Sequence, residues 1–182
     1  MTEGDKSIVS VFGSGDPREG DAEYDLAMAV GGELAALGYV VANGGYGGVM
    51  EASARGASEA GGDVVGVTCS IWKSKPNRFV TREVKTSSLA ERIATLLDLG
   101  ACGYVCLPGS TGTLVELASA WEMMFKGLME RRPLVCVGDF WRPLVDMMIS
   151  ARNPSGGFVT VVEGPENLGE YFPPRPESFR IA

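Results

Sequence analysis

Short apolar runs alternate along the chain with longer segments in which apolar residues recur at helical spacing. The short runs predict strands at residues 7–12, 39–42, 64–67, 79–83, 103–107, 134–137 and 158–162. The periodic segments predict helices at residues 22–37, 49–60, 88–99, 114 to about 127, 141–149 and 165–171. Because strand, turn and helix follow one another repeatedly, the pattern predicts an α/β fold with a doubly wound parallel sheet.

A single domain is predicted for nearly the whole chain. The 182 residues are about one domain's length, and no linker divides them. We assign residues 1–172 to this domain and residues 173–182 to a proline-rich C-terminal tail. Glycine occurs 25 times, about twice its usual share, and the glycines collect where predicted strands end. Parallel sheets bind their ligands at the edge formed by the carboxyl ends of the strands.

Charge and composition exclude several classes of function. Lys and Arg number 16 against 23 Asp and Glu, a net charge of −7, so we expect no nucleic acid polymer as a partner. The absence of histidine excludes Ser-His-Asp and Cys-His catalysis and His-ligated metal sites. We expect neither a metal nor a cofactor. The four cysteines form no C-x-x-C pair and are predicted to be buried, inert thiols: Cys69, Cys102, Cys106 and Cys136.

The sequence predicts no contact with a membrane. Its first residues are polar, without the pattern of a signal segment, and no apolar stretch approaches the roughly 18 residues of a membrane span. We therefore expect a cytoplasmic protein.

Three glycine-rich turns, at residues 13–15, 44–48 and 109–113, each follow a predicted strand. Glycine lets the backbone approach a ligand closely, and a helix N-terminus adds unpaired N–H groups. We therefore favour an anion or nucleotide site over turns that need glycine for geometry alone. Arg18 occupies the third glycine position of the dinucleotide fingerprint, and the P-loop motif is absent. Both observations disfavour an NAD-dependent dehydrogenase or an NTPase.

Two charged residues are candidates for chemistry. Thr113 and Glu116 have the spacing of a capping box, in which Glu116 would only close the start of a helix. In the other interpretation its carboxylate lies beside a bound sugar and stabilises an oxocarbenium-like transition state or activates water. Arg92 falls in the first turn of a helix capped by Ser88, where the helix dipole disfavours a cation. A bound anion or a carboxylate would offset this penalty, unless Arg92 is a solvated surface residue.

The segment at residues 114–129 is apolar almost all round. A helix buried on one face should carry a polar stripe on the other. Burial against a second subunit would explain the pattern, and so would a central core helix in a monomer. We predict a homodimer.

Residues 108–116, with the sequence PGSTGTLVE, resemble the P-G-G-x-G-T-x-x-E signature of the LOG family. These "Lonely Guy" enzymes activate cytokinins, and their bacterial relatives were long labelled lysine decarboxylases. Residues 44–51 resemble the family's G-G-G-x-x-G-L-M motif, and residues 61–67 resemble its G-G-x-V-x-G-V strand. Residues 12–15 stand where the family has its first G-S-S turn. The resemblance extends from residue 9 to about residue 162, with Ser110 replacing a glycine and Ile93 replacing the lysine of the usual R-K pair.

The resemblance implies a Rossmann-like fold, a homodimer and a phosphoribohydrolase. Such an enzyme hydrolyses the N-glycosidic bond of a nucleoside 5′-monophosphate, for example one of the cytokinin type, to a free base and ribose 5-phosphate. The catalytic pair implied is Arg92 with Glu116. The residues expected to bind the phosphate or line its site are Gly13, Ser14, Gly44, Gly45, Gly109, Ser110, Thr111, Gly112 and Thr113. The alternative is a carrier that binds a nucleotide or the molybdenum cofactor without hydrolysis. No lysine stands out as a Schiff-base candidate, which disfavours a PLP-dependent decarboxylase.

Overall fold

The computed structural model of the chain describes residues 7–151 and 156–175. Its strands are β1 (Ile8–Phe12), β2 (Val40–Asn43), β3 (Val64–Cys69), β4 (Arg82–Thr86), β5 (Gly103–Cys106), β6 (Leu134–Val137) and β7 (Thr160–Val162). Its helices are α1 (Ala22–Ala36), α2 (Val49–Glu59), α3 (Leu89–Leu99), α4 (Thr111–Phe125), α5 (Arg142–Ser150) and a 3-10 helix at Pro165–Glu170. The strands pair in parallel in one sheet, in the order β4-β3-β2-β1-β5-β6-β7.

Helices cover both faces of the sheet. Val9 and Val11 of β1 pack with residues of α1 and α2, whereas Phe12 packs with residues of α3, α4 and α5. Every residue of β1, β2, β3, β5 and β6 is buried, which explains why these strands appear as continuous apolar runs. The predicted α/β, Rossmann-like, doubly wound parallel sheet is confirmed.

The direction of the strand order reverses between β1 and β5. Phe12 and Cys106 are register partners, so the two strands end at the same level. The turns that follow them are therefore neighbours at the carboxyl edge of the sheet. This switch point is where open α/β sheets bind their ligands.

Three elements begin two or three residues away from their predicted start. The strand expected at residues 79–83 lies three residues later, as β4, because this edge strand is largely exposed and carries no apolar run. Strand β7 begins at Thr160 instead of residue 158. Helix α4 begins at Thr111 instead of residue 114, because Ser110 and not Thr113 occupies the N-cap position.

The start of the C-terminal tail contacts the domain. The Arg175 N–H donates to the Leu37 carbonyl at 2.9 Å, and the Tyr39 hydroxyl donates to the Pro173 carbonyl at 2.8 Å. Residues 176–182 of the predicted tail lie outside the described residues. Arg175 Nη1 also lies 3.0 Å from Cys102 Sγ, and Cys102 is only half-buried, contrary to prediction. The other three cysteines are buried, and all four are free thiols.

None of the helices in residues 7–151 and 156–175 has the length and apolarity that a membrane crossing requires.

Candidate functional site

The three glycine turns lie side by side at the carboxyl edge of the sheet. The Ser14 N–H donates to the Pro108 carbonyl at 3.1 Å, which ties the turn after β1 to the turn after β5. The Ser14 carbonyl accepts from the Val49 N–H at 2.8 Å, which ties the same turn to the start of α2. The edge therefore brings Gly13 and Ser14 next to the turn that contains Gly109 and Ser110.

Helix α4 presents its N-terminus to this edge. Ser110 is the N-cap residue, but its side chain makes no capping hydrogen bond. The first helical bond runs from the Leu114 N–H to the Ser110 carbonyl, at 3.0 Å. The amides of Thr111, Gly112 and Thr113 belong to the first helical turn, where N–H groups have no partner within the helix and the dipole is positive.

Gly112 has no steric reason to be glycine. A Cβ atom added to it would meet no atom within 4 Å, and alanine is the better helix former by about 1 kcal/mol. Gly109 differs, because a Cβ there would collide with the side chain of Thr113. Thr111 and Gly112 are exposed, so a ligand can reach their amides.

Glu116 does not cap the helix. It lies in the second turn of α4 and is only 9% exposed, so the capping-box interpretation is wrong. Burial raises the pKa of Glu116 from its ordinary 4.5 to about 7, although the positive charge of Arg92 acts to lower it. This carboxyl group therefore changes its charge near neutral pH.

Arg92 is buried too, at 7% exposed, and is not a solvated surface residue. Its Nε donates to the Val67 carbonyl at 2.8 Å, and its Nη2 donates to the Gly44 carbonyl at 3.0 Å. Its Nη1 lies 3.7 Å from Oε1 of Glu116, which joins the two predicted catalytic residues in one ion pair. The backbone carbonyls and this carboxylate offset the unfavourable position of a cation early in a helix.

The capped N-terminus of α3 positions Arg92 next to Glu116. As predicted, Ser88 caps this helix, accepting from the Glu91 N–H at 3.2 Å, while Glu91 accepts from the Ser87 N–H at 2.7 Å. Gly44 makes the room for the arginine, since a Cβ atom on Gly44 would coincide with Arg92 Nη2.

The backbone N–H and carbonyl of Gly45 are both used in hydrogen bonds within the protein. Its N–H donates to Asn43 Oδ1 at 2.9 Å, and its carbonyl accepts from the Asn77 N–H at 2.8 Å. In this conformation its amide does not serve as a phosphate donor. Asn43, which sequence reasoning missed, is fully buried and also donates to the Met50 carbonyl at 2.9 Å, so it sets the shape of the turn.

Two aromatic residues that sequence reasoning missed surround Arg92, and we call Tyr46 and Trp72 the aromatic corner. The Arg92 guanidinium lies 5.7 Å from the centroid of the Tyr46 ring and 5.4 Å from that of Trp72. Tyr46 stands inside the second glycine turn, which was a signal for its location. Trp72 follows β3 in a polar loop, and nothing in the local sequence marked it.

A groove of about 680 Å³ opens beside the switch point. Ser14, Gly109 and Ser110 line it, together with three carboxylates and the ring of Phe140. The carboxylates belong to Asp16, Asp21 and Glu23. These three carboxylates repel a phosphate dianion from their part of the groove, although Gly109 and Ser110 line the same groove.

The chain is similar to several known proteins. The profile of the SLOG cluster4 family matches residues 6–164. A protein of Archaeoglobus fulgidus is 35% identical over 130 residues, which are 71% of this chain and 83% of that one. A Mycobacterium tuberculosis protein named cytokinin riboside 5′-monophosphate phosphoribohydrolase is 31% identical over 142 residues, 73% of this chain and 71% of that one. The structure of the molybdenum cofactor binding protein of Rippkaea orientalis has a TM-score of 0.72 at 24% identity, over 90% of this chain and 93% of that one, and shows the shared fold.

Proposed function

Because the chain belongs to the SLOG cluster4 family, which confirms the LOG resemblance, we propose that it is a nucleoside 5′-monophosphate phosphoribohydrolase. The observation that carries the proposal is the buried pair of Arg92 and Glu116 beside the amides that begin α4. A buried carboxyl group whose pKa is raised to about 7 and that is paired with an arginine is typical of sites that carry out chemistry. The mycobacterial relative's name supports the same class of reaction.

In the proposed complex the 5′-phosphate lies on the amides of residues 109–113. Gly112 supports this placement, because the open space beside it admits a ligand to the backbone and nothing else in its surroundings requires glycine. The hydroxyl of Ser110, which caps nothing, is an additional donor. Ser14 and Gly13 form the neighbouring wall, and Arg92 holds Glu116 and attracts the anion.

The proposed reaction is hydrolysis at C1′ of the ribose. The bond from C1′ to the base breaks, and the base leaves with the electron pair and gains a proton. Water forms the new C1′–O bond and loses a proton, so the products are the free base and ribose 5-phosphate. Ionised Glu116 stabilises the positive charge that develops at C1′ or accepts the proton of the water.

The test is chromatography of AMP, GMP, CMP and UMP after incubation with the protein, with adenosine as the substrate that lacks a phosphate. We expect a free base and ribose 5-phosphate from at least one nucleotide, and none from adenosine. Glu116→Gln should slow release by about 100-fold or more while binding persists, since the group acts mainly in the transition state. Glu59→Gln, an exposed glutamate of α2, is the matched control. Full base release by Glu116→Gln would refute the assigned role.

A second candidate is a carrier of a nitrogen-rich heterocycle such as a pterin. The specific observation for it is the groove of about 680 Å³, whose three carboxylates can accept hydrogen bonds from ring N–H and amino groups. The same panel separates the two candidates, because a carrier binds its ligand and releases no base.

We also propose a cytoplasmic homodimer. Four free thiols suit a reducing compartment. An apolar groove of about 200 Å³ between α4 and α5, lined by Leu114, Trp121, Leu144 and Met148, is a surface that a second copy of the chain would cover. Sedimentation of the full chain decides whether it is a monomer or a dimer.

A further inference from the structure

The aromatic corner is rigid at Tyr46 and open at Trp72. The Tyr46 hydroxyl accepts from the Cys69 N–H at 2.8 Å, which fixes the ring against β3. The Trp72 ring stands edge-to-face on Tyr46, with centroids 5.7 Å apart and an interplanar angle of 89°. The corner therefore holds the indole in one orientation beside the guanidinium of Arg92.

Trp72 differs from the other two tryptophans of the chain. Trp121 and Trp141 are each 6% exposed, whereas Trp72 is 41% exposed. Exposing a large apolar ring to water is unfavourable, and a ligand that covers the ring removes this cost. An exposed ring next to a buried ion pair therefore marks a binding surface. The Trp72 ring lies beside the guanidinium of Arg92, and Arg92 is paired with Glu116, so the indole belongs to the same site.

The order of features along the sheet edge indicates what covers the indole. The amides proposed for the phosphate follow β5 and the turn of Gly13 follows β1, Gly44 and Tyr46 follow β2, and Trp72 follows β3. Neighbouring strands are about 4.8 Å apart, so three steps from β5 to β3 cover about 14 Å. A nucleotide whose phosphate lies at the first end and whose ribose lies at Glu116 directs its base toward the other end.

We propose that Trp72 is the specificity-determining residue of the site and stacks on the base of the nucleotide. The proposal rests on the nucleotide being the ligand, as argued above. Stacking on an aromatic ring needs no particular hydrogen-bond pattern, because every base has a π face. Trp72 therefore selects by the area of the base, and purine nucleotides bind more tightly than pyrimidine nucleotides.

The experiment measures binding in a Glu116→Gln background, so that turnover does not consume the ligand. AMP, CMP and ribose 5-phosphate are titrated calorimetrically against this protein and against further variants, Trp72→Ala, Trp72→Phe and Ile71→Ala. Ile71 is the matched control, an exposed apolar neighbour without a ring. Trp72→Ala should weaken AMP binding by about 5- to 150-fold, the range of base–aromatic stacking, and Trp72→Phe should restore much of it.

Two measured quantities separate stacking from a merely structural role: the affinity for ribose 5-phosphate and the ratio of the AMP and CMP affinities. Stacking predicts that Trp72→Ala leaves the affinity for ribose 5-phosphate unchanged and brings the AMP-to-CMP affinity ratio close to one. Equal losses for AMP and ribose 5-phosphate, unchanged AMP binding, or no AMP binding to the parent protein would each overturn the proposal. Failure of the hydrolase proposal is recognised separately, since the wild-type protein would then bind AMP and release no adenine.

Discussion

The proposed chemistry needs the side chain of Glu116 ionised, whereas the stability of the fold favours its protonated form. Burial raises its pKa from 4.5 in an unfolded chain to about 7 in the folded protein. The folded state therefore holds its proton more tightly than the unfolded state does. Stability from this group is complete below pH 4.5 and is lost as the pH rises through about 7.

Glu116→Gln should remove the loss of stability that the wild type shows as the pH rises through about 7. The pKa difference corresponds to about 3 kcal/mol, at ~1.4 kcal/mol for each pH step, as an upper limit. We expect the variant to unfold at nearly the same urea concentration as the wild type at pH 4.5, and at a clearly higher one at pH 8. Parallel curves for the two proteins from pH 4.5 to 8 would contradict the raised pKa.

The second glycine turn and the start of α3 act together, because Gly44 leaves the space that Arg92 occupies. Gly44→Ala should displace the guanidinium and slow base release by about 100-fold, as small misplacements of catalytic groups do. Gly47→Ala is the matched control in the same turn, because a Cβ there meets nothing within 4 Å. Its free energy of unfolding should stay within about 0.5 kcal/mol of wild type. Equal rates of base release in the two variants would show that the turn does not position Arg92.

Elements with a strong local pattern could be predicted from the sequence, and contacts between elements could not. The spacing of Ser88 and Glu91 predicted the start of α3, and continuous apolar runs predicted the buried strands. Strand β4 has no such run, because it lies at the edge of the sheet. For α4, Ser110 and Thr113 both suit an N-cap, and only the backbone shows that Ser110 takes that position.

The pairing of Arg92 with Glu116 depends on the whole molecule. The residues belong to different helices, and the strand order places α3 and α4 on the same face of the sheet. The family resemblance implied the pair, but not its burial or its distance. The position of Trp72 depends even more on tertiary structure, since only the pairing of β2 with β3 brings its loop to Tyr46 and Arg92.

Charge distribution across the molecule decides where a phosphate can lie. The chain carries a net charge of −7, and the larger groove at the switch point has three carboxylates in its lining. Arg92 does not line that groove; it is buried and paired with Glu116 of α4. We therefore expect a bound phosphate to contact the first amides of α4 and to avoid the three carboxylates.

The most direct measurement is a crystal structure of the Glu116→Gln protein with AMP bound. We expect the phosphate on the amides of residues 109–113, C1′ of the ribose beside the side chain of residue 116, and the adenine against Trp72. Phosphate density against Asp16, Asp21 and Glu23 and away from the amides of residues 109–113, with residue 116 far from the sugar, would contradict this placement.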